Sequence, residues 1–140
     1  MSNEDLSGEP DRVVEAVRSG AGFTCVLRGA PASGKSTALR RIAHRAGDVR
    51  VLWAVGSPDE VDQPFALLEQ LSDDLRGDEV EPVRRQLRSF LDSRQPVLLL
   101  VDDAHWIDPA SAQVLGHTAR RVQGRRIGVV FAASTAHPLP

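Results

Sequence analysis

The residues most able to do chemistry lie in one stretch from Arg28 to Thr37, which reads Arg-Gly-Ala-Pro-Ala-Ser-Gly-Lys-Ser-Thr. Gly29, Gly34, Lys35 and Ser36 have the spacing of the G-x-x-x-x-G-K-[S/T] phosphate-binding loop. The glycines let backbone N–H groups approach a polyphosphate without an intervening Cβ, the lysine can reach the β- and γ-phosphates, and the serine hydroxyl suits Mg²⁺. We therefore predict a nucleotide site whose loop consists of Gly29, Ala30, Pro31, Ala32, Ser33, Gly34, Lys35, Ser36 and Thr37.

Asp102 and Asp103 directly follow the apolar run from Val97 to Val101, which is typical of a strand buried on both faces of a parallel sheet. Open α/β sheets bind ligands at the carboxyl ends of such strands. We assign Asp102, with Ser36, to Mg²⁺, as in a Walker B motif, and Asp103 to orienting or deprotonating the attacking water. Asp103 and Lys35 are the candidate catalytic residues. The alternative is that both carboxylates only cap the next turn.

The elements expected around the loop are those that a phosphate site needs. Phe23 to Leu27 is short and apolar and predicts a buried strand, while Leu39 and Ile42 fall at helical spacing after Lys35, with Gly47 as the end of that helix. Further strands are expected at Val49 to Val55 and at Ile127 to Ala133. The other expected helices carry apolar residues at helical spacing: Val13, Val14 and Val17 after Pro10; Phe65, Leu68, Leu71 and Leu75 up to Gly77; Val80, Val83, Leu87, Phe90 and Leu91 before Pro96; and Val114, Leu115, Thr118 and Val122 between an Asp108–Pro109 cap and Gly124. This alternation predicts an α/β fold with a parallel sheet flanked by helices in three layers.

Composition restricts the classes of function. With 41% hydrophobic and 26% charged residues, the 140-residue chain can bury the core of one domain. A net charge of −2 gives no general attraction to nucleic acid or membranes. Cys25 is the only cysteine and lies in a predicted buried strand, so we expect an inert thiol. The acidic N-terminus lacks the apolar segment of a secretion signal, and we expect a cytoplasmic protein.

The segment from Leu99 to Ser111 (Leu-Leu-Val-Asp-Asp-Ala-His-Trp-Ile-Asp-Pro-Ala-Ser) resembles a segment of the STAND signal-transduction ATPases, which are related to AAA+ proteins. Their pattern is Asp-Asp-x-His-Trp-x-Asp, as in the large ATP-binding regulators of the LuxR class. Pro64 to Leu71 is similar to the segment after their second strand, and the likeness extends from about Gly8 to Thr135. His105 and Trp106 match the pattern; we expect Trp106 to pack and assign no role to His105.

The resemblance implies a P-loop NTPase-like module that binds ATP with Mg²⁺, hydrolyses it slowly, and acts as a nucleotide switch for attached sensor and effector domains. It implies the strand order 5-1-4-3-2, a helical lid and an effector domain such as a DNA-binding helix-turn-helix. We therefore expect residues 1–9 to be a polar leader and residues 10–140 to be an ATPase core truncated after the fourth strand, without fifth strand or lid. The phosphate-loop strand would then lie at a sheet edge.

The fourth strand departs from the family pattern. It ends Ala132-Ala133-Ser134-Thr135, whereas the family often has Ala-Arg or Ala-Thr-Arg there to sense the γ-phosphate. Ser134 or Thr135 can still form a hydrogen bond at this position.

Two groups of arginines have several interpretations. The first comprises Arg84, Arg85 and Arg88, and the second comprises Arg120, Arg121, Arg125 and Arg126. They could contact nucleic acid or supply an arginine finger in trans, but the acidic overall balance favours solvated helix faces. The four histidines lack metal-ligand spacing, so we do not expect zinc.

These observations leave three functions open. The first is an ATP-binding switch with slow hydrolysis. The second is a binding-only module that holds ATP or ADP without turnover, self-associates, or pairs with a full-length relative. The third and least favoured is a small P-loop kinase, because adjacent carboxylates suit hydrolysis better. We expect neither a DNA-binding domain nor a membrane partner, and the lack of an Asn/Thr-Lys-x-Asp motif favours adenine over guanine.

Overall fold

The computed structural model describes residues 10–29, 35–92 and 95–134. Within these ranges one sheet contains four parallel strands: β1 (Phe23–Gly29), β2 (Arg50–Val55), β3 (Val97–Asp102) and β4 (Ile127–Ser134). Their order is β1-β4-β3-β2, so β1 and β2 are the edges of the four described strands. The predicted parallel α/β fold is confirmed, and each strand lies within two residues of its expected bounds.

In the part of the chain that the structure describes, five helices and a 3-10 turn connect and cover the strands. They are α1 (Pro10–Arg18), α2 (Lys35–His44), α3 (Ala66–Glu69), α4 (Val80–Leu91), the 3-10 turn (Ala104–Trp106) and α5 (Pro109–Ala119). None of the helices in the described ranges combines the length and the apolar character needed to cross a membrane.

The side chains of β3 show how the sheet separates two cores. Successive strand residues point to opposite faces, and every residue of β3 is buried. Leu98 and Leu100 pack into the core formed with α1 and α2, whereas Leu99 and Val101 pack into the core formed with α4 and α5. The sheet is therefore the middle of three layers, which explains the continuous apolar run.

The helix predicted from Phe65 to Leu75, with Gly77 at its end, is wrong in length. Phe65 has a φ of 65°, so the helix begins only after it, and α3 is four residues long. The hydroxyl of Ser72 accepts a hydrogen bond from the backbone N–H of Asp74 at 3.2 Å, forming a local turn that competes with helical hydrogen bonds. Leu75 is still fully buried, so the apolar pattern predicted burial correctly but not the helix.

The end predicted for the helix after β3 is also wrong. That helix, α5, stops at Ala119 rather than continuing to Gly124. The N–H of Arg121 bonds the carbonyl of Thr118, and Val122 is buried in the turns that follow. The predicted start of α5 is confirmed, because Asp108 caps it. The predicted end of α2 is confirmed as well, because Gly47 follows that helix with a φ of 58°.

Cys25 lies inside β1, as the sequence predicts. Its side chain is buried, and this burial raises the pKa of the thiol to about 11. The neutral thiol is therefore the stable form near neutral pH, and thiolate chemistry is suppressed.

Candidate nucleotide-binding site

The predicted loop connects the end of β1 to the start of α2. Gly29 is the last residue of β1 and pairs with Ser134, while α2 begins at Lys35. Ala30, Pro31, Ala32, Ser33 and Gly34 lie outside the described residues. The strand predicted before the loop and the helix predicted after it are therefore both observed.

The structure brings together the hydroxyl of Ser36 and the carboxylate of Asp102. The Ser36 Oγ donates a hydrogen bond of 2.7 Å to Oδ2 of Asp102. The two residues are 66 positions apart, and only the packing of α2 against the sheet makes them neighbours. Asp102 is buried and Ser36 is half-buried, so this contact forms at a partly enclosed edge of the sheet.

The backbone around Asp103 holds the carboxylate of Asp102 and turns the chain after β3. The second oxygen of Asp102 accepts the backbone N–H of Asp103 at 2.9 Å. Asp103 has φ 48° and ψ 45°, a left-handed conformation that aspartate tolerates better than most residues. Its carbonyl then accepts the N–H of Trp106 at 3.0 Å, which starts the 3-10 turn. The Asp103 side chain is half-buried.

Gly56 supports this acidic turn from the end of β2. Its N–H donates to the carbonyl of Asp102 at 2.9 Å, and a Cβ built on it would overlap the carbonyl oxygen of Asp103. Only glycine allows the two backbones to approach this closely. The sequence predicts a loop at Gly56 but not this contact, which depends on the register of β2 against β3.

His105 links the acidic turn to the end of β4. Its Nδ1 accepts the backbone N–H of Ser134 at 3.2 Å, which assigns the proton of the neutral ring to Nε2. The ring of Trp106 lies 5.3 Å from that of His105 at an angle of 52°, and the Trp106 side chain is half-buried. His105, to which the sequence assigns no role, therefore connects two strand ends. Thr135, the other predicted hydrogen-bonding residue at the end of β4, lies outside the described residues.

Asp108 is more than the helix cap that the sequence predicts. Its carboxylate is 2% exposed and accepts three backbone N–H groups: from Ser111 at 2.9 Å, Phe65 at 2.7 Å and Leu67 at 3.1 Å. It thus joins the start of α5 to the start of α3. A cap can be recognised from the Asp-Pro pair, but the two bonds to a segment over 40 residues away cannot.

A large groove lies beside the site. It has a volume of about 860 Å³, runs between α1 and α2, and includes Pro10, Thr37, Arg40 and His44. Thr37 is exposed here, and its hydroxyl accepts from Arg40 at 3.4 Å. The residues that line the groove include neither Ser36 nor Asp102.

Comparisons with known structures agree with the fold. The chain is similar in fold to a variant of RuvB from Thermotoga maritima, with 17% identity and a TM-score of 0.51 over 94% of this chain and 38% of that one. A DNA polymerase III gamma subunit-related protein from Thermotoga maritima gives 10% identity and a TM-score of 0.54, covering 90% of this chain and 39% of that one. PCH-2 from C. elegans gives 12% identity and a TM-score of 0.52, covering 98% and 37%.

The chain therefore spans about two fifths of the length of each of these structures, and at these identities the likeness concerns the fold alone. No curated protein matches the chain significantly in sequence. Residues 11–131 match the model of the AAA ATPase domain, which is most of the chain. On this match, the chain belongs to the AAA ATPase domain family, whose members bind and hydrolyse ATP.

Proposed function

We propose that this chain is an ATP-binding switch module with slow, Mg²⁺-dependent ATP hydrolysis, of the type found in STAND regulators of the LuxR class. The observation that carries the proposal is the 2.7 Å contact between Ser36 and Asp102. It brings Ser36 of the predicted phosphate loop to Asp102, the predicted metal ligand 66 positions away in the sequence. The segment from Leu99 to Ser111 resembles that of the LuxR-class regulators, and this likeness supports the regulator type.

The donor atoms at this contact fit Mg²⁺. The ion prefers hard oxygen ligands in octahedral geometry at 2.0–2.1 Å, which separates neighbouring ligands by about 2.9 Å. A hydroxyl and a carboxylate oxygen 2.7 Å apart are close to that spacing. Ser36 and Asp102 would hold the ion, which supplies positive charge to the β- and γ-phosphates.

We assign the remaining roles from the positions of the residues in the fold. Backbone N–H groups of the loop and the start of α2 would receive the phosphates, with Lys35 adding charge at the β- and γ-phosphates. Thr37, at the groove between α1 and α2, would contact the phosphate nearest the nucleoside. Asp103, half-buried at the carboxyl end of β3, would orient the attacking water and accept its proton.

Calorimetric titration with Mg·ATP tests the binding part of the proposal. We expect saturable binding to the wild-type chain and a loss of at least about tenfold in affinity in Lys35→Ala, since a charge-assisted contact to phosphate is worth about 1.5–3 kcal/mol. Arg126→Ala is the matched control, because Arg126 is exposed beyond the other end of the sheet and should leave affinity unchanged. Equal affinity in Lys35→Ala and wild type would contradict the phosphate site.

Single-turnover hydrolysis separates the switch from the binding-only alternative. Asp103→Asn should bind Mg·ATP as tightly as the wild type and lose turnover by about 100-fold, the usual contribution of a positioned base. Turnover that is equal in both proteins would contradict the role of Asp103. Binding without turnover in the wild type would favour the binding-only function.

A further inference from the structure

The two arginine groups that are separate in sequence meet in one pocket between α4 and α5. The pocket has a volume of about 170 Å³. Its cationic wall is formed by Arg84, Arg88, His117, Arg121 and Arg125. Its apolar floor is formed by Leu91, Val122 and Ile127, each of which is buried. The pocket lies on the α4–α5 side of the sheet, whereas α2 covers the other side.

His117 stands between two guanidinium groups. Nη1 of Arg84 is 2.7 Å from Nε2 of His117, and Nη1 of Arg121 is 3.1 Å from Nδ1. A guanidinium only donates hydrogen bonds, and a neutral imidazole has one accepting nitrogen and one N–H. One of the two contacts therefore sets a donor against a donor, and protonation of the ring would make both contacts unfavourable. Arg84 also donates to the carboxylate of Glu81, and Arg121 also donates to the carbonyl oxygen of His117 at 3.1 Å. The acceptor deficit therefore lies at the imidazole ring, where one guanidinium N–H faces a ring N–H.

The charged groups around the ring of His117 are mostly cationic. Burial, followed by Arg121, Arg84 and Arg120, lowers the pKa of His117, while Glu81 acts in the opposite direction. From α4 the groups near the ring are Glu81, Arg84 and Arg88; from α5 and the turn after it they are Arg120, Arg121 and Arg125.

Few carboxylates offset these cations. Glu81 pairs with Arg84, and Asp92 pairs with Arg125 at 3.2 Å. Among the residues that the structure describes, neither Arg88 nor Arg121 forms an ion pair with a carboxylate. The pocket thus has a local excess of positive charge in a chain whose overall charge is −2.

We propose that this pocket binds the phosphoryl group of a small phosphorylated molecule, at a site separate from the Ser36–Asp102 contact. A phosphoryl oxygen would give the guanidinium group that faces the ring N–H an acceptor in its place, and it would accept the N–H of His117 as well. Guanidinium groups match phosphate in a planar, two-point geometry. The apolar floor would contact the organic part of the molecule, and the pocket volume suits a group of a few heavy atoms rather than a polymer.

The test is an NMR titration of the His117 ring in the full chain with inorganic phosphate, at constant ionic strength. We expect saturable shifts of the ring signals, and Arg121→Gln should weaken phosphate binding about five- to tenfold, as for the loss of one charge-assisted bond at a partly exposed site. Arg85→Gln makes the same charge change on the exposed face of α4 and should bind phosphate like the wild type. The titration is repeated in Lys35→Ala, where we expect phosphate binding at the loop to be weakened but the His117 shifts to persist.

Two further arms test the chemistry. Sulfate, whose charge is constant over the range in which imidazole titrates, should raise the pKa of His117 and bind more tightly as the pH falls. Glycerol 3-phosphate should bind at least as tightly as inorganic phosphate, whereas acetate should bind more weakly. Absence of saturable shifts, equal phosphate affinity in Arg121→Gln and wild type, or equal affinity for acetate and phosphate would overturn the proposal.

Discussion

At the scale of single residues, the buried carboxylates of Asp102 and Asp108 have different surroundings and different roles. Asp108 accepts three backbone N–H groups, so its negative charge is fully used within the fold. Asp102 accepts one backbone N–H, and its other oxygen faces the hydroxyl of Ser36, a group that can itself be a ligand. The first arrangement stabilises a junction of two helices, and the second is suited to a metal ion.

Replacement of Asp108 should destabilise the whole domain. Asp108→Ala leaves three buried backbone donors without an acceptor, and we expect a loss of about 2–4 kcal/mol in the free energy of unfolding. Urea denaturation measures this loss. Asp62→Ala removes an exposed carboxylate and should change the free energy by less than about 0.5 kcal/mol. Equal effects of the two substitutions would show that Asp108 does not join α3 to α5.

Cys25 should make the domain sensitive to alkaline pH. Its pKa is raised to about 11 in the folded chain, so its contribution to stability is complete below the pKa of an unfolded cysteine, about 8.5. That contribution is lost as the pH rises through about 11, with a cost of at most about 3 kcal/mol. The chain has no tyrosine, and Lys35 is its single lysine, so few other groups titrate in this range.

The measurement for Cys25 is urea denaturation at increasing pH under reducing conditions, for the wild type and Cys25→Ala. The wild type should lose stability between about pH 9 and 11, and the variant should lose much less. The same alkaline loss in both proteins would exclude Cys25 as its source.

At the scale of elements, three strand ends are tied together around the acidic turn. Gly56 after β2 contacts the backbone of Asp102 and Asp103, and His105 accepts the N–H of Ser134 at the end of β4. These contacts tie the position of the acidic turn to the ends of β2 and β4. The geometry of the site therefore depends on residues that do not themselves contact nucleotide in the proposed function.

Gly56→Ala tests this dependence. The added Cβ would overlap the Asp103 carbonyl, so the acidic turn must move, and we expect Mg·ATP affinity to fall about tenfold while the domain still folds. Gly116→Ala, inside α5, adds a Cβ that meets no atom within 4 Å and should instead stabilise the helix by about 0.5–1 kcal/mol. Unchanged calorimetric affinity in Gly56→Ala would argue that the turn does not depend on this close approach.

At the scale of the whole molecule, the parallel sheet and its two covered faces follow from the sequence pattern, whereas the strand order is expected only from the family resemblance. The run from Val97 to Val101 predicts a central strand, and the Asp108–Pro109 pair predicts the start of α5. Local patterns cannot predict contacts that depend on how strands align, such as those of Gly56 and His105. They also overestimate the length of a helix where a local turn competes, as at Ser72. They do not reveal that members of the two arginine groups share one pocket around His117.

The proposed function requires that Ser36 and Asp102, brought together by the fold, form the metal side of an ATP site. The most direct measurement is the affinity for ATP with and without Mg²⁺, in the wild type and in Asp102→Asn, with Asp103→Asn as the matched control. We expect Mg²⁺ to tighten ATP binding about tenfold or more in the wild type and in Asp103→Asn, and less than about threefold in Asp102→Asn. An equal effect of Mg²⁺ in Asp102→Asn and the wild type would contradict the claim.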